Sequence, residues 1–236
     1  MELNKTLHQS ITALKEGNFQ KAERLYSKIL QTYPTHPDAN HYLGVALYVL
    51  GRLKEAEMSF KKSIKFKPDY TEAYYNLGIT LQKLHKLEEA EASYKKALAL
   101  KPDYVDAHNN LGITLQKLHK FVEAEATYKK SLALKPEHAI THNNLGITLQ
   151  KLHKLEEAEG SYKKALALKP NYVEAHNNLG NTLKDLGRLN EAEASYKKAI
   201  EFKPDYVEAY YNLGLTLQKL HKLEEAEASY KKAIAL

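Results

Sequence analysis

The eleven histidines are the first residues of chemical interest, and they sit in a chain with no cysteine. His108, His142 and His176 recur every 34 residues. Imidazole is a common metal ligand and proton-transfer group near neutral pH. The spacing argues against a shared ion. If one helix pair separates each ring from the next, the carrier helices lie about 8–10 Å apart, whereas imidazole binds zinc at about 2.1 Å. We expect no metal site here and read these positions as packing positions where His replaces an aromatic. His85, His119, His153 and His221 form a second series. They read as turn residues, because His tolerates positive φ better than most side chains. Zero cysteine excludes a disulfide framework, a thiol nucleophile and a Cys-ligated zinc. The chain has no G-x-S-x-G, HExxH, P-loop or GxGxxG sequence. The expectation is no catalytic residue, no cofactor and no enzyme activity.

A stronger signal is a file of amides: Asn76, Asn110, Asn144, Asn178 and Asn212, again 34 residues apart. Asn is a poor helix former, so an exposed helix surface gives no reason for it. Its amide offers donors and an acceptor together, and can pair with a peptide unit's C=O and N–H at once. Such a file could hold an extended chain by its backbone. Two other readings stand beside this one. The amides could bond the adjacent repeat, or they could be copied among near-identical repeats with no role.

The prolines show what positions these residues. Pro34, Pro68, Pro102, Pro136, Pro170 and Pro204 are evenly spaced by 34. With Pro at repeat position 32, the units run 3–36, 37–70, 71–104, 105–138, 139–172, 173–206 and 207–236, one solenoid spanning 1–236. Each unit reads as two helices. In the third, Thr71 to Leu84 carries an apolar stripe of Ala73, Tyr74, Leu77, Leu81 and Leu84 at helical spacing. Glu88 to Leu100 is the second helix, ended by Pro102. The linker at His85 is short, so the two must be antiparallel neighbours. Asp69 with Glu72, Asp103 with Asp106, Asn171 with Glu174 and Asp205 with Glu208 predict capping boxes at the helix starts. The junction from Pro136 to Ile140 lacks that pattern and predicts the weakest start. Gly at position 8, Ala at 20 and an aromatic at 24 predict close helix contacts. A mid-helix Gly costs about 1 kcal/mol against Ala and needs such a reason.

On a helical wheel, positions 2, 5, 6, 9, 12 and 13 of the first helix fall away from the buried arc, on the inner wall of a spiral. Position 5 is Tyr75, Asn109, Asn143, Asn177 and Tyr211, and position 9 includes Ile79, Ile113 and Ile147. Position 12 is Gln82, Gln116 and Gln150. Together with the Asn file these are the candidate ligand-binding residues. The Glu at positions 18, 19 and 21 and the Lys at 25 and 26 read as a solvated outer face.

This arrangement resembles the tetratricopeptide repeat (TPR) family, from Leu3 to Leu236. Tyr74, Leu77, Gly78, Leu81, Ala90, Tyr94, Ala97 and Pro102 carry the likeness in the third unit. The resemblance implies an all-α, right-handed α-solenoid of antiparallel helix pairs, first helices lining the concave wall. It also implies a protein–protein interaction scaffold that binds an extended peptide or protein. The Asn file is similar to that of the O-linked N-acetylglucosamine transferases, which implies a substrate-peptide groove at Asn76, Asn110, Asn144, Asn178 and Asn212. Those enzymes carry a catalytic domain after the repeats. With none following here, the alternative is the recognition region of a larger glycosyltransferase. The residues do not resemble a chaperone carboxylate clamp, since position 5 is Asn or Tyr and position 9 mainly Ile.

Composition limits the remaining classes. With 43% hydrophobic residues the chain can fold. It has no run of 18 apolar residues and no apolar h-region at its start, so we expect no membrane partner and a cytoplasmic location. The net charge of +6 is spread over the chain, and the repeat period is 34, which argues against nucleic acid. The final Ala-Ile-Ala-Leu236 is apolar, and terminal repeats normally present a polar face. Self-association through that end is therefore a further expectation. Asn110→Ala with Asn144→Ala is expected to weaken peptide binding and leave thermal unfolding nearly unchanged.

Overall fold

The computed structural model describes residues 2–236. Met1, part of the expected span 1–236, lies outside them. Among the described residues there are fourteen α-helices and no strand. The chain divides into two compact units, Met1–Leu118 and His119–Leu236, the boundary falling in the turn of the fourth repeat. In the first unit α1 (Glu2–Lys15) pairs with α2 (Phe19–Thr32), α3 (Pro37–Val49) with α4 (Leu53–Phe66), and α5 (Thr71–Lys83) with α6 (Leu87–Leu100), followed by α7 (Val105–Lys117). In the second, α8 (Phe121–Leu134) precedes the pairs α9 (Ala139–Lys151) with α10 (Leu155–Leu168), α11 (Val173–Asp185) with α12 (Leu189–Phe202), and α13 (Val207–Lys219) with α14 (Leu223–Ala235).

Within the first unit α2 packs on α3, α4 on α5 and α6 on α7; within the second, α8 packs on α9, α10 on α11 and α12 on α13. Successive first helices also touch: α3 with α5 and α5 with α7, then α9 with α11 and α11 with α13. Successive second helices within a unit do not come as close. The first helices are therefore the inner layer of each unit. No helix among the described residues is long and apolar enough to cross a membrane.

The turns bear out the conformational reading of the histidines. His85, His119, His153 and His221 have φ of 58–59°, and Gly17, Gly51 and Gly187 hold the same turn at 72–78°. The capping boxes are not formed. The N-cap of α5 is Tyr70, of α7 Tyr104, of α11 Tyr172 and of α13 Tyr206, and none makes a side-chain cap bond. Each helix starts one residue later than a box on Asp69, Asp103, Asn171 or Asp205 requires, which leaves that side chain outside the cap. Glu72 and its equivalents still sit in the first turn, where a negative charge complements the helix dipole. The start of α9 lacks even that acid.

The small residues at position 8 have a visible cause. A Cβ on Gly78 would lie 2.6 Å from the Tyr94 ring, one on Gly146 2.6 Å from Tyr162, and one on Gly44 2.8 Å from Phe60. Tyr94 and Tyr162 are fully buried, so each ring lies against the glycine of its own repeat. Gly160 is the contrast. It sits mid-helix in α10, where an added Cβ would meet nothing. Helix α6 is otherwise identical in sequence and carries Ala92 at that place. Gly160→Ala is therefore expected to raise stability by about 0.5–1 kcal/mol, read as a higher urea midpoint.

Candidate functional site

The inner layer of each unit is built by the first helices, and the Asn file lies on it. In the first unit the Asn76 amide donates to His41 Nε2 at 2.9 Å, and the Asn110 amide donates to the Tyr75 hydroxyl at 3.1 Å. In the second, Asn178 donates to Asn143 Oδ1 at 3.2 Å, and Asn212 to Asn177 Oδ1 at 3.1 Å. Every bond spans 35 residues, from position 6 of one repeat to position 5 of the repeat before. This is a ladder between neighbouring first helices, and amide, imidazole and phenol all serve as its acceptor. The position-10 threonines bind the same turn from within: Thr80, Thr114 and Thr182 each donate to the backbone C=O of the position-6 Asn.

The ladder revises the wheel at position 5. The wheel puts Asn143 and Asn177 on the open wall, yet they are 4% and 0% exposed. The cause is the close approach of successive first helices, which turns position 5 into the seam between them. Asn177 also donates to Glu208 at 3.0 Å. Asn212, the last of the file, is likewise buried. Tyr75 is partly buried, and burial pushes its hydroxyl pKa up to about 12. Tyr211 is more than half exposed. Asn109 and Asn144 also take part in interactions. Asn76, Asn110 and Asn178 stay partly exposed beside Ile79, Ile113 and Ile147, which are partly exposed as well. The glutamines turn inward. Gln82 accepts from Tyr94 at 3.5 Å and Gln150 from Tyr162 at 2.6 Å, so each also anchors the ring that packs on the position-8 glycine. Gln116 is also engaged.

The position-4 histidines point back along the chain. His108, His142 and His176 each place Nε2 2.8–2.9 Å from the carbonyl oxygen of Pro102, Pro136 or Pro170. They fasten the loop that enters each first helix, and Asn40 reaches Pro34 in the same way at 3.2 Å. Burial lowers the pKa of His142 and His176, against the pull of those carbonyls.

The outer face departs from its reading as merely solvated. Glu57, Glu125 and Glu193 at position 21 are about 7% exposed. Glu125 accepts from Lys129 one turn on at 2.6 Å and from Lys154 of the next repeat at 2.9 Å. Glu57 joins Lys86, Glu159 joins Arg188 and Glu193 joins Lys222 across the same 29-residue span. Burial is the largest influence on Glu125 and pushes its carboxyl up, but the hydrogen bonds from Lys129 and Lys154 together hold it below the usual range. The signal was present in the sequence as an acid followed 29 residues later by Lys or Arg. Glu193→Gln is expected to lower the melting temperature modestly, with the deficit shrinking as salt rises, because the partner cations are half exposed. Equal deficits at low and high salt would deny the ladder its charge.

Stacked helix pairs of this geometry define a repeat scaffold. Models of the tetratricopeptide repeat match residues 13–77, 69–137, 103–171, 161–194 and 207–236, and a TPR repeat model matches 180–221. The chain belongs to the tetratricopeptide repeat family, whose fold is a scaffold for protein interaction. Among solved structures it is similar to MamA, at 27% identity and a TM-score of 0.66 over 70% of this chain and 90% of that one. It is similar to YrrB, described as a TPR protein with an unusual peptide-binding site, at 29% identity and a TM-score of 0.64 over 75% and 91%. A tetratricopeptide repeat protein from Parabacteroides merdae superposes over 99% of this chain and 92% of its own with a TM-score of 0.75. At 17% identity it shares the fold. No curated protein sequence matches the chain.

Proposed function

We propose that the inner, first-helix face of each unit binds an extended peptide segment of a protein partner. One observation carries this reading. Asn76, Asn110 and Asn178 each donate a single bond to the ladder, which leaves the amide oxygen and the second N–H on a partly exposed surface. An amide held in place by one bond is preorganised to pair with a peptide backbone through the rest. Ile79, Ile113 and Ile147 beside them supply apolar contact. The peptide-binding site described for YrrB supports the same use of a similar scaffold.

The test is selection of a random-peptide phage library on the immobilised full chain, followed by affinity measurement. Ile113→Glu, or Ile147→Glu in the second unit, should weaken a selected peptide about tenfold or more and change melting less than affinity, since each side chain keeps part of its surface in solvent. Unchanged affinity in both variants sinks the reading.

The ladder favours a second reading, in which the amides serve the stack alone. Asn110→Ala removes a bond between repeats and leaves the Tyr75 hydroxyl without it, so stability should fall by about 1 kcal/mol. That corrects the expectation of unchanged melting. If affinity for every selected peptide survives Asn110→Ala, the amides are structural.

A further inference from the structure

The inner wall of the first unit changes character at the second repeat. Where the third repeat carries Asn76, Ile79, Gln82 and Lys83, the second carries Tyr42, Val45, Tyr48 and Val49 at the same positions. Tyr48 and Val49 thus replace the Gln-Lys pair at positions 12 and 13. The result is a groove of about 260 Å3 lined by Val45, Tyr48, Val49, Phe60, Asn76 and Ile79. Five of the six are apolar or aromatic, and Val49 is 49% exposed. Its floor is fixed, because Phe60 is 1% exposed and packs against Gly44. Its one amide, Asn76, is held by His41 at 2.9 Å. At its edge the Lys83 ammonium lies 5.5 Å from the centre of the Tyr48 ring. Lys83 makes no ion pair among the described residues.

We propose that this groove is the anchor of the peptide site, taking one bulky apolar side chain of an extended peptide whose adjacent residue is acidic. The inference rests on the peptide-binding reading and names the class of partner. The occupant follows from the lining. Apolar walls around a preformed slot favour an aliphatic or aromatic side chain. The Asn76 amide at the wall offers a backbone partner beside it. A cation with no counter-ion at the rim favours a carboxylate one or two residues away.

The same peptide selection tests it on the full chain. Enriched peptides should share a bulky apolar residue with Asp or Glu within two positions. Val45→Asp with Val49→Asp should weaken them about tenfold or more, the effect of losing one buried apolar side chain. Lys83→Glu should shift the preferred neighbour from acidic to basic, a change that loss of folding cannot mimic. Peptides without a shared apolar position, or affinity indifferent to Val45→Asp with Val49→Asp but lost in Ile113→Glu, overturn the anchor and leave the groove reading intact. If no peptide is enriched, the peptide-binding reading falls and the anchor with it. Light scattering closes the remaining alternative: a wild-type dimer that Val49→Asp makes monomeric would assign the groove to a second copy and overturn the peptide anchor.

Discussion

Gly146→Leu is expected to cost about 3 kcal/mol or more and to shift the urea midpoint further than Asn110→Ala or Glu193→Gln. The β-carbon alone would lie 2.6–2.8 Å from three atoms of the Tyr162 ring. The ring cannot swing aside freely. It is fully buried, and its hydroxyl donates to Gln150 at 2.6 Å. Overpacking of this kind typically costs about 1–3 kcal/mol, and leucine adds three more carbons beyond the clash. Gly160 supplies the control in the next helix, where Ala should stabilise because no atom stands in the way. If Gly146→Ala and Gly160→Ala both raised stability, helix propensity would govern position 8 and the packing account would be wrong.

The second large effect is a proton. His41 is 5% exposed, lies against Tyr42, Phe60 and Tyr70, and accepts from Asn76. That bond leaves Nδ1 as the protonated nitrogen, 3.0 Å from the Tyr70 hydroxyl. Burial pushes the ring's pKa from 6.5 down to about 4. Glu72 and Asp38 pull the other way, and Lys67 adds to the lowering. The unfolded chain takes up this proton near pH 6.5, while the folded chain resists it until about 4. The stability conferred by the neutral ring is therefore complete above about 6.5 and lost as pH falls toward about 4, by about 3 kcal/mol. His41→Tyr should flatten that window. Tyr75 already occupies the same position in the next repeat, where it accepts from Asn110 and lies against Tyr104, ring centres 4.7 Å apart and tilted. Urea midpoints of both chains from about pH 7 to about pH 4 measure it. The carboxylates Glu57, Glu125, Glu159 and Glu193 are held below their usual range, so their contribution is lost at the acid end in both chains and cancels in the difference. Parallel curves would show that His41 does not carry the proton linkage.

Most of the helices were legible because each is announced by a periodic residue with a local cause. Proline ends the second helix, and His or Gly supplies the positive φ between the two. Position 5 was misplaced because a wheel treats each helix alone. Its angle points away from the helix's own partner, but the first helix of the neighbouring repeat covers it, so Asn143 and Asn177 are interior. The capping boxes failed for a smaller reason, a one-residue offset of the helix start. The buried glutamates were hidden because each has a Lys one turn on along an outward-looking helix, the pattern of a solvated pair. Only their partners 29 residues on reveal them.

The amino-acid order by itself determined the repeat unit, its two helices, its turns and the small residues its packing demands. All of these depend on backbone geometry within some tens of residues. Tertiary structure alone decided which polar side chains face a ligand and which face the next repeat. An amide carries the same hydrogen-bonding groups in either place, so the distance to the adjacent helix selects between them. Asn76 and Asn110 keep part of their surface, and Asn177 keeps none.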